Sequence, residues 1–174
     1  SALSVFGLVP AALIGMDLHK YLEYTRTFSE KRALAENAGN NEALELGAAL
    51  GELALAGRNK LTFTTSPALA AFPDWVEQLV AESTGKEGTG IIPVVGEPLS
   101  SPDWYQRDRV FVHIETASEQ DPEVNGKLSS LENAGHPVLR FQLPDRYCLG
   151  QEMFRWEFAI ATASATLGIH PFNQ

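Results

Sequence analysis

The sequence predicts an α/β fold: a three-layer α/β/α sandwich on a mainly parallel sheet. Three observations carry that expectation. Four short runs rich in apolar and β-branched residues recur at 61–65, 91–95, 109–115 and 137–143. Helical stretches join the first run to the second and the third to the fourth, the pattern of parallel strands with crossover connections. One run, Ile91-Ile92-Pro93-Val94-Val95, carries no polar residue and reads as a strand buried on both faces.

Taken in order, residues 3–14 read as a helix, with Pro10 bending it or starting its second half. Its apolar character predicts a buried helix. Asp17 is placed to cap a second helix running to about residue 37, with Leu18, Leu22, Phe28 and Leu34 along an irregular apolar stripe. Ala38-Gly39-Asn40-Asn41 stops that helix and restarts the chain as a third, over 42–56. In it Gly47 and Gly51 lie four apart. They predict close packing against the sheet and not a phosphate loop, because neither opens a helix after a strand.

Strand 61–65 is followed by Ser66 and Pro67, the cap and first turn of the next helix. That helix carries Leu69, Phe72, Trp75, Val76, Leu79 and Val80 on its apolar side, and Pro73 predicts a kink. Strand 91–95 ends at Gly96-Glu97-Pro98, and 99–108 reads as a loop. Strand 109–115 alternates. Asp121 and Pro122 open a helix to residue 134, strand 137–143 follows, and Pro144-Asp145 lead into a final helix ending near Gly168. No repeat of solenoid length is present.

With 174 residues, 44% of them apolar and 20% charged, the chain has material for one sizeable core. A formal net charge of −9 speaks against non-specific binding to nucleic acid or to an anionic membrane. An anionic substrate then needs a local group of donors. Aromatic and arginine residues mix at 104–109, but the stretch is short and acid-flanked, not a nucleic-acid site. Cys148 is the single cysteine, which excludes an internal disulfide and suits a reducing cytoplasm. Residues 2–15 are apolar but have no basic lead-in, contain Pro10 and are too short to span a bilayer. The sequence holds no metal-ligand spacing, Walker loop or Gly-x-Ser-x-Gly elbow.

The chemistry-bearing stretch is Gln78-Leu79-Val80-Ala81-Glu82-Ser83-Thr84-Gly85-Lys86. Gln78 and Glu82 are four apart and share one helix face. A carboxylate at a helix end, beside a Ser-Thr-Gly-Lys turn, can act as a general base next to a bound anion. It reads equally as a solvated helix end with a glycine cap and a surface lysine. His113, in a strand, reads as a satisfied core or edge residue.

Pro73-Asp74-Trp75-Val76-Glu77-Gln78-x-x-x-Glu82-Ser83-x-Gly85-Lys86 resembles the active-site segment of the glucose-6-phosphate isomerase family. Gly47-Ala48-Ala49-Leu50-Gly51 and Gly57-Arg58-Asn59-Lys60-Leu61-Thr62 upstream, and Val94-Val95-Gly96-Glu97-Pro98 downstream, are similar to the family in the same order. Residues 1–13 resemble the segment directly after its Gly-Gly-Arg motif, and Leu167-Gly168-Ile169-His170-Pro171-Phe172-Asn173-Gln174 resembles its Asn-x-Phe-Asp-Gln motif. The sequence is most similar to the isomerase part of bacterial transaldolase–isomerase fusions, and 99–145 is the least similar region.

The resemblance implies a sugar-isomerase (SIS) sandwich, the second of two in an isomerase, with residues 1–174 as one domain cut from a larger protein. It implies metal-free, cofactor-free interconversion of glucose 6-phosphate and fructose 6-phosphate, a cytoplasmic step of glycolysis and gluconeogenesis. Glu82 would be the general base, and Gln78 and Gln174 would hold the sugar-phosphate substrate. A homo-oligomer is implied, and a fused transaldolase is a possible partner in the parent.

Two departures stand out. The family places a His shortly after the Gly-Glu-Pro turn, where this chain has Leu99-Ser100-Ser101-Pro102-Asp103-Trp104-Tyr105. The family's Arg and Lys fall outside the two ends. Glu82 is expected near the carboxyl edge of the strands, where open α/β sheets bind ligands. A domain cut from its neighbour is expected to expose apolar surface at 2–14 and on the final helix. Two other readings stay open: a phosphosugar-binding module without turnover, and a structural or interaction domain.

Overall fold

The computed structural model describes residues 3–33 and 41–172. In chain order these form α1 (Val5–Leu13), α2 (Leu18–Ala33), α3 (Glu42–Leu55), β1 (Lys60–Thr65), α4 (Phe72–Thr84), β2 (Ile92–Val94), β3 (Arg109–Thr116), α5 (Pro122–Asn133), β4 (Val138–Leu143) and α6 (Leu149–Leu167). The strands make one sheet of order β2-β1-β3-β4, and every neighbouring pair is parallel. Side chains alternate across a strand, so the two faces carry different residues. One presents Leu61, Phe63, Val110, Val112 and Ile114 to α3, α4 and α6. The other presents Phe111 and Val138 to Leu128 and Leu131 of α5 and to Tyr105. This is the three-layer α/β/α architecture with a parallel sheet that the sequence predicts.

Most element ends follow the chemistry of their residues. Asp17 caps α2, accepting from the Lys20 N–H at 3.1 Å. Asn41 caps α3, accepting from Ala43 and Leu44 at 3.2 Å each. Asp121 caps α5, with Pro122 in its first turn. Gly168 closes α6 in the left-handed conformation at φ 72°, which glycine adopts without a Cβ penalty. The expected extension of α2 to residue 37 falls partly outside the described residues.

Several expectations need correction. Ser66 does not cap a helix; its Oγ accepts from Thr116 N–H at 3.2 Å and ties β1 to β3. Pro73 does not kink α4. The chain makes a 3₁₀ turn at Pro67–Leu69 and α4 begins afresh with Pro73 in its first turn, where the missing N–H costs nothing. β2 is short and lies at the sheet edge with Ile92 half exposed, so the run is not buried on both faces. The inward side of α2 is Tyr21, Thr25 and Phe28, while Leu22 faces outward. Nor is α1 buried: Val5, Phe6, Val9, Leu13 and Ile14 are all exposed.

The glycines of α3 do mark close packing, but against α6 and not against the sheet. A Cβ on Gly47 would meet the Ala159 carbonyl at 2.3 Å, and one on Gly51 would meet Thr166 Cβ at 2.6 Å. Near the start of α6, Glu152 is fully buried and pairs with Arg155 at 3.1 Å; Arg155 also reaches Glu42 at 3.1 Å. Burial holds the Glu152 carboxyl pKa above its usual value, against the pull of Arg155.

A raised folded-state pKa gives a contribution that is whole below the unfolded pKa and fades as pH rises through the folded one. Glu152→Gln lacks that loss. In urea unfolding across acidic to neutral pH, the stability of Glu152→Gln relative to the parent chain is expected to rise with pH. A difference that does not change with pH would show that Glu152 ionises as easily folded as unfolded.

Candidate functional site

The helix that carries the predicted site is set by its inward residues. Phe72, Val76, Val80 and Thr84 are buried at a spacing of four, a stripe along one face. Thr84 Oγ donates to the Val80 carbonyl at 2.8 Å and accepts from Ile91 N–H at 2.9 Å. These two hydrogen bonds of a single hydroxyl fix the end of α4 to the strand after it. Gln78 and Glu82 each lie two residues beyond a buried valine, about 200° round the helix, so both point outward. Gln78 Nε donates to Glu82 Oε at 3.0 Å.

The expected position at the carboxyl edge of the sheet is wrong. α4 leaves the carboxyl end of β1 and returns to the start of parallel β2, so it runs against the strands. Glu82, in its last turn, therefore lies toward the amino edge. There it lines an open depression of about 500 Å³ with Phe6, Trp75, Gln78, Ser83 and Glu157. Three helices contribute: α1 the Phe6 wall, α4 the amide and carboxylate, and α6 the second carboxylate. Trp75 is held by stacking on Phe72, with centroids 5.6 Å apart.

Lys86 is not a free surface lysine. Its ammonium donates to the His170 carbonyl at 3.1 Å and the Pro171 carbonyl at 2.8 Å. The turn after Glu82 thus holds the segment leading to Gln174. Gln174 itself lies outside the described residues.

Sequence reading misses Glu157, a carboxylate sharing the depression with Glu82. Partial burial pushes its pKa up. Nothing around it in the sequence signals the role, since only the packing of α6 beside α4 brings it there. None of the four histidines lines the depression.

His113 is instead a satisfied interior residue, as its strand position suggests. It is buried, with Nδ1 2.9 Å from Thr64 Oγ and Nε2 3.3 Å from Glu115 Oε. The network continues: Asn125 donates to Glu115 at 3.2 Å, and Arg140 donates to Asn125 Oδ at 3.0 Å. Arg140 occupies the Asn125 oxygen, so the Asn125 amide group is turned with its hydrogens toward Glu115. Each of these polar groups under α5 has a partner.

Among the described residues no group of three or more His, Cys, Asp or Glu side chains is placed to hold a metal ion, and no helix is long and apolar enough to cross a membrane. The exposed apolar face of α1 adjoins the depression through Phe6. Phe158 on α6 and Phe172 beyond it are exposed as well. Such surface seeks cover. The 174-residue chain is expected to self-associate, and sedimentation should show species above monomer that Phe6→Glu with Leu13→Glu returns to monomer. A monomer at high concentration would contradict this.

No protein-family model matches the chain. Over its whole length it is similar to curated glucose-6-phosphate isomerases: 26% identical to that of Leptospira biflexa and 24% to that of Enterococcus faecalis, covering 47% of each. It is 28% identical to that of Limosilactobacillus reuteri, covering 46%. The chain thus spans about half the length of the curated relatives it matches. Its fold matches all of this chain and 51% of a hypothetical protein of Thermus thermophilus, at a TM-score of 0.83 and 22% identity. From end to end, the chain is similar to one half of a glucose-6-phosphate isomerase.

Proposed function

We propose that this chain is the half of a phosphosugar isomerase that carries the catalytic base, within a parent that interconverts glucose 6-phosphate and fructose 6-phosphate in the cytoplasm. The observation that carries the reading is the Gln78–Glu82 pair, hydrogen-bonded and lining a depression, within whole-length similarity to glucose-6-phosphate isomerases. Aldose–ketose isomerisation moves a proton between adjacent carbons, which a carboxylate can do. Glu82 takes the proton from the second carbon and returns it to the first. Gln78 orients Glu82 and holds a substrate hydroxyl without adding charge, and Gln174 contacts the sugar from the chain end.

Glu82 is exposed in this chain, whereas a base working near neutrality benefits from burial. The other half of the parent, or a second copy of the chain, supplies the cover and the donors for the phosphate. The reading of a binding module without turnover draws on the same exposure and on the absence of a histidine from the depression. The test is the full-length protein, free of metal, given glucose 6-phosphate in deuterated water. Formation of fructose 6-phosphate with deuterium at the second carbon of recovered substrate is expected. Saturable binding with neither product nor exchange would replace the isomerase reading with the binding one.

A further inference from the structure

Four residues past Glu82, Lys86 rises from a fixed turn and reaches a distant part of the chain. Its own N–H donates to the Thr84 carbonyl at 2.8 Å, and its carbonyl accepts from the Thr89 N–H and hydroxyl at 2.9 Å each. Gly85 N–H donates to the Ala81 carbonyl at 3.0 Å and so ties the turn back to α4. Gly90 closes it from behind: a Cβ there would lie 2.9 Å from the Thr84 carbonyl oxygen. The stem of Lys86 therefore starts from a backbone held on both sides.

The far side is less secured. Residues 169–172 belong to no helix or strand. Ile169 is buried, and its N–H donates to the Ser164 carbonyl at 3.0 Å. His170 Nδ1 accepts from the Phe172 N–H at 3.2 Å, a local bond that bends the stretch. Pro171 has no N–H to give. The His170 and Pro171 carbonyls, neighbours in sequence, both accept from the Lys86 ammonium. An ammonium offers three hydrogens and no acceptor, and a charged donor makes the stronger kind of hydrogen bond. Two consecutive carbonyls on one cation form a clamp that spans 84 and 85 residues of sequence.

The clamp stands outside the Glu82 depression, which Lys86 does not line. Its place is between two groups assigned to the substrate. Glu82 precedes Lys86 by four residues and Gln174 follows Pro171 by three, and three residues of chain reach at most about 11 Å. With carbonyls 170 and 171 fixed to the turn after Glu82, the base and the start of the Gln174 segment share one support. We propose that Lys86 is a positioning residue: it holds the 169–172 segment to the turn of the catalytic base, so that Gln174 meets the same substrate on which Glu82 acts. This inference rests on the isomerase reading above. Lys86 acts through Gln174 and touches no reacting atom.

Backbone relaxation in the 174-residue chain tests the clamp apart from any reaction. The His170 and Phe172 amides are expected to show order parameters near about 0.85 with Lys86 in place and below about 0.6 in Lys86→Met. Lys86→Arg keeps the charge and the donors and should restore most of the order. Order parameters that Lys86→Met leaves unchanged overturn the proposal. Kinetics of the full-length protein test the use of the clamp. Lys86→Met should raise KM for glucose 6-phosphate about tenfold, the scale of a lost charged hydrogen bond, and leave kcat within about threefold, since Glu82 is untouched. Gln174→Ala should raise KM too, and the double variant should be no worse than the worse single one, because both remove the same contact. Additive losses, a fall in kcat with KM kept, or a Gln174→Ala variant with the parent KM each overturn the proposal. If the full-length protein binds glucose 6-phosphate without turnover, the isomerase reading falls, and the same cycle is read on the dissociation constant. Coupling of Lys86 and Gln174 there upholds the clamp, and absence of binding overturns both. Lys86→Gln, which also removes the charge, takes the place of Lys86→Met should that variant not fold.

Discussion

Glu82→Gln in the full-length protein is expected to lower isomerase turnover by about 10² to 10⁴, the usual cost of losing a positioned acid–base group. The substitution keeps the size of the side chain and an oxygen able to accept from Gln78 at the present 3.0 Å. Glu82 is exposed and outside the core, so folding should change little; surface substitutions usually stay within about 0.5 kcal/mol. Turnover and substrate binding should therefore separate, with the rate falling and the affinity nearly kept. Gln78→Ala should do the reverse in smaller measure, since it removes one neutral hydrogen bond worth roughly 1 kcal/mol. Exchange of the proton on the second carbon is the sharper readout, because it reports the proton-moving step alone. Full turnover with full exchange in Glu82→Gln would remove Glu82 from the role of base.

Much of this arrangement is legible in the sequence. The four strands declare themselves by short β-prone runs, and the helices by caps such as Asn41, Asp121 and Gly168, all of which are local signals. The Gln78–Glu82 pair is legible because four residues make about one helical turn, so the contact follows from spacing. What is not legible is what the pair faces. Glu157 reaches the same depression only because α6 packs beside α4, a fact of tertiary structure. The edge of the sheet on which the site lies is hidden for a similar reason. The rule that ligands sit at the carboxyl edge concerns loops leaving the strands, and Glu82 sits at the far end of the helix after β1.

The differences at 3–14 and at 91–95 share one cause. In both, apolar composition predicts burial. Composition says that such a segment gains from cover, not that this chain provides it. Conversely, the polar side of β3 is visible in part: His113 and Glu115 alternate with Val112 and Ile114, which assigns them to the face opposite the main core. Their partners, Thr64 on β1 and Asn125 on α5, are brought in by strand order and helix packing.

Trp156→Ala is the substitution expected to cost the fold most. Trp156 is completely buried on the inward side of α6 and packs on Phe63 of β1 with ring centroids 5.0 Å apart. It joins the outermost helix layer to the middle of the sheet, beside Ala159, Ile160 and Ala163. Truncating a buried tryptophan to alanine costs about 3–5 kcal/mol through lost burial and the cavity left behind. Domains are stable by only about 5–15 kcal/mol, so about a fifth or more of the total is at stake. The cavity has little means of closing, because Gly47 already brings α3 against the Ala159 backbone.

Trp156→Phe supplies the contrast. The indole Nε is buried without a partner among the described residues, so phenylalanine removes an unpaired donor while keeping most of the packing. Its cost should fall well below that of alanine. In urea unfolding the midpoint should drop strongly for Trp156→Ala and slightly for Trp156→Phe. Combining Trp156→Ala with Phe63→Leu should cost less than the sum of the two changes, since the rings lose a shared contact only once. Equal and small losses for alanine and phenylalanine would mean that α6 is held to the sheet by other side chains, with Trp156 merely enclosed by them.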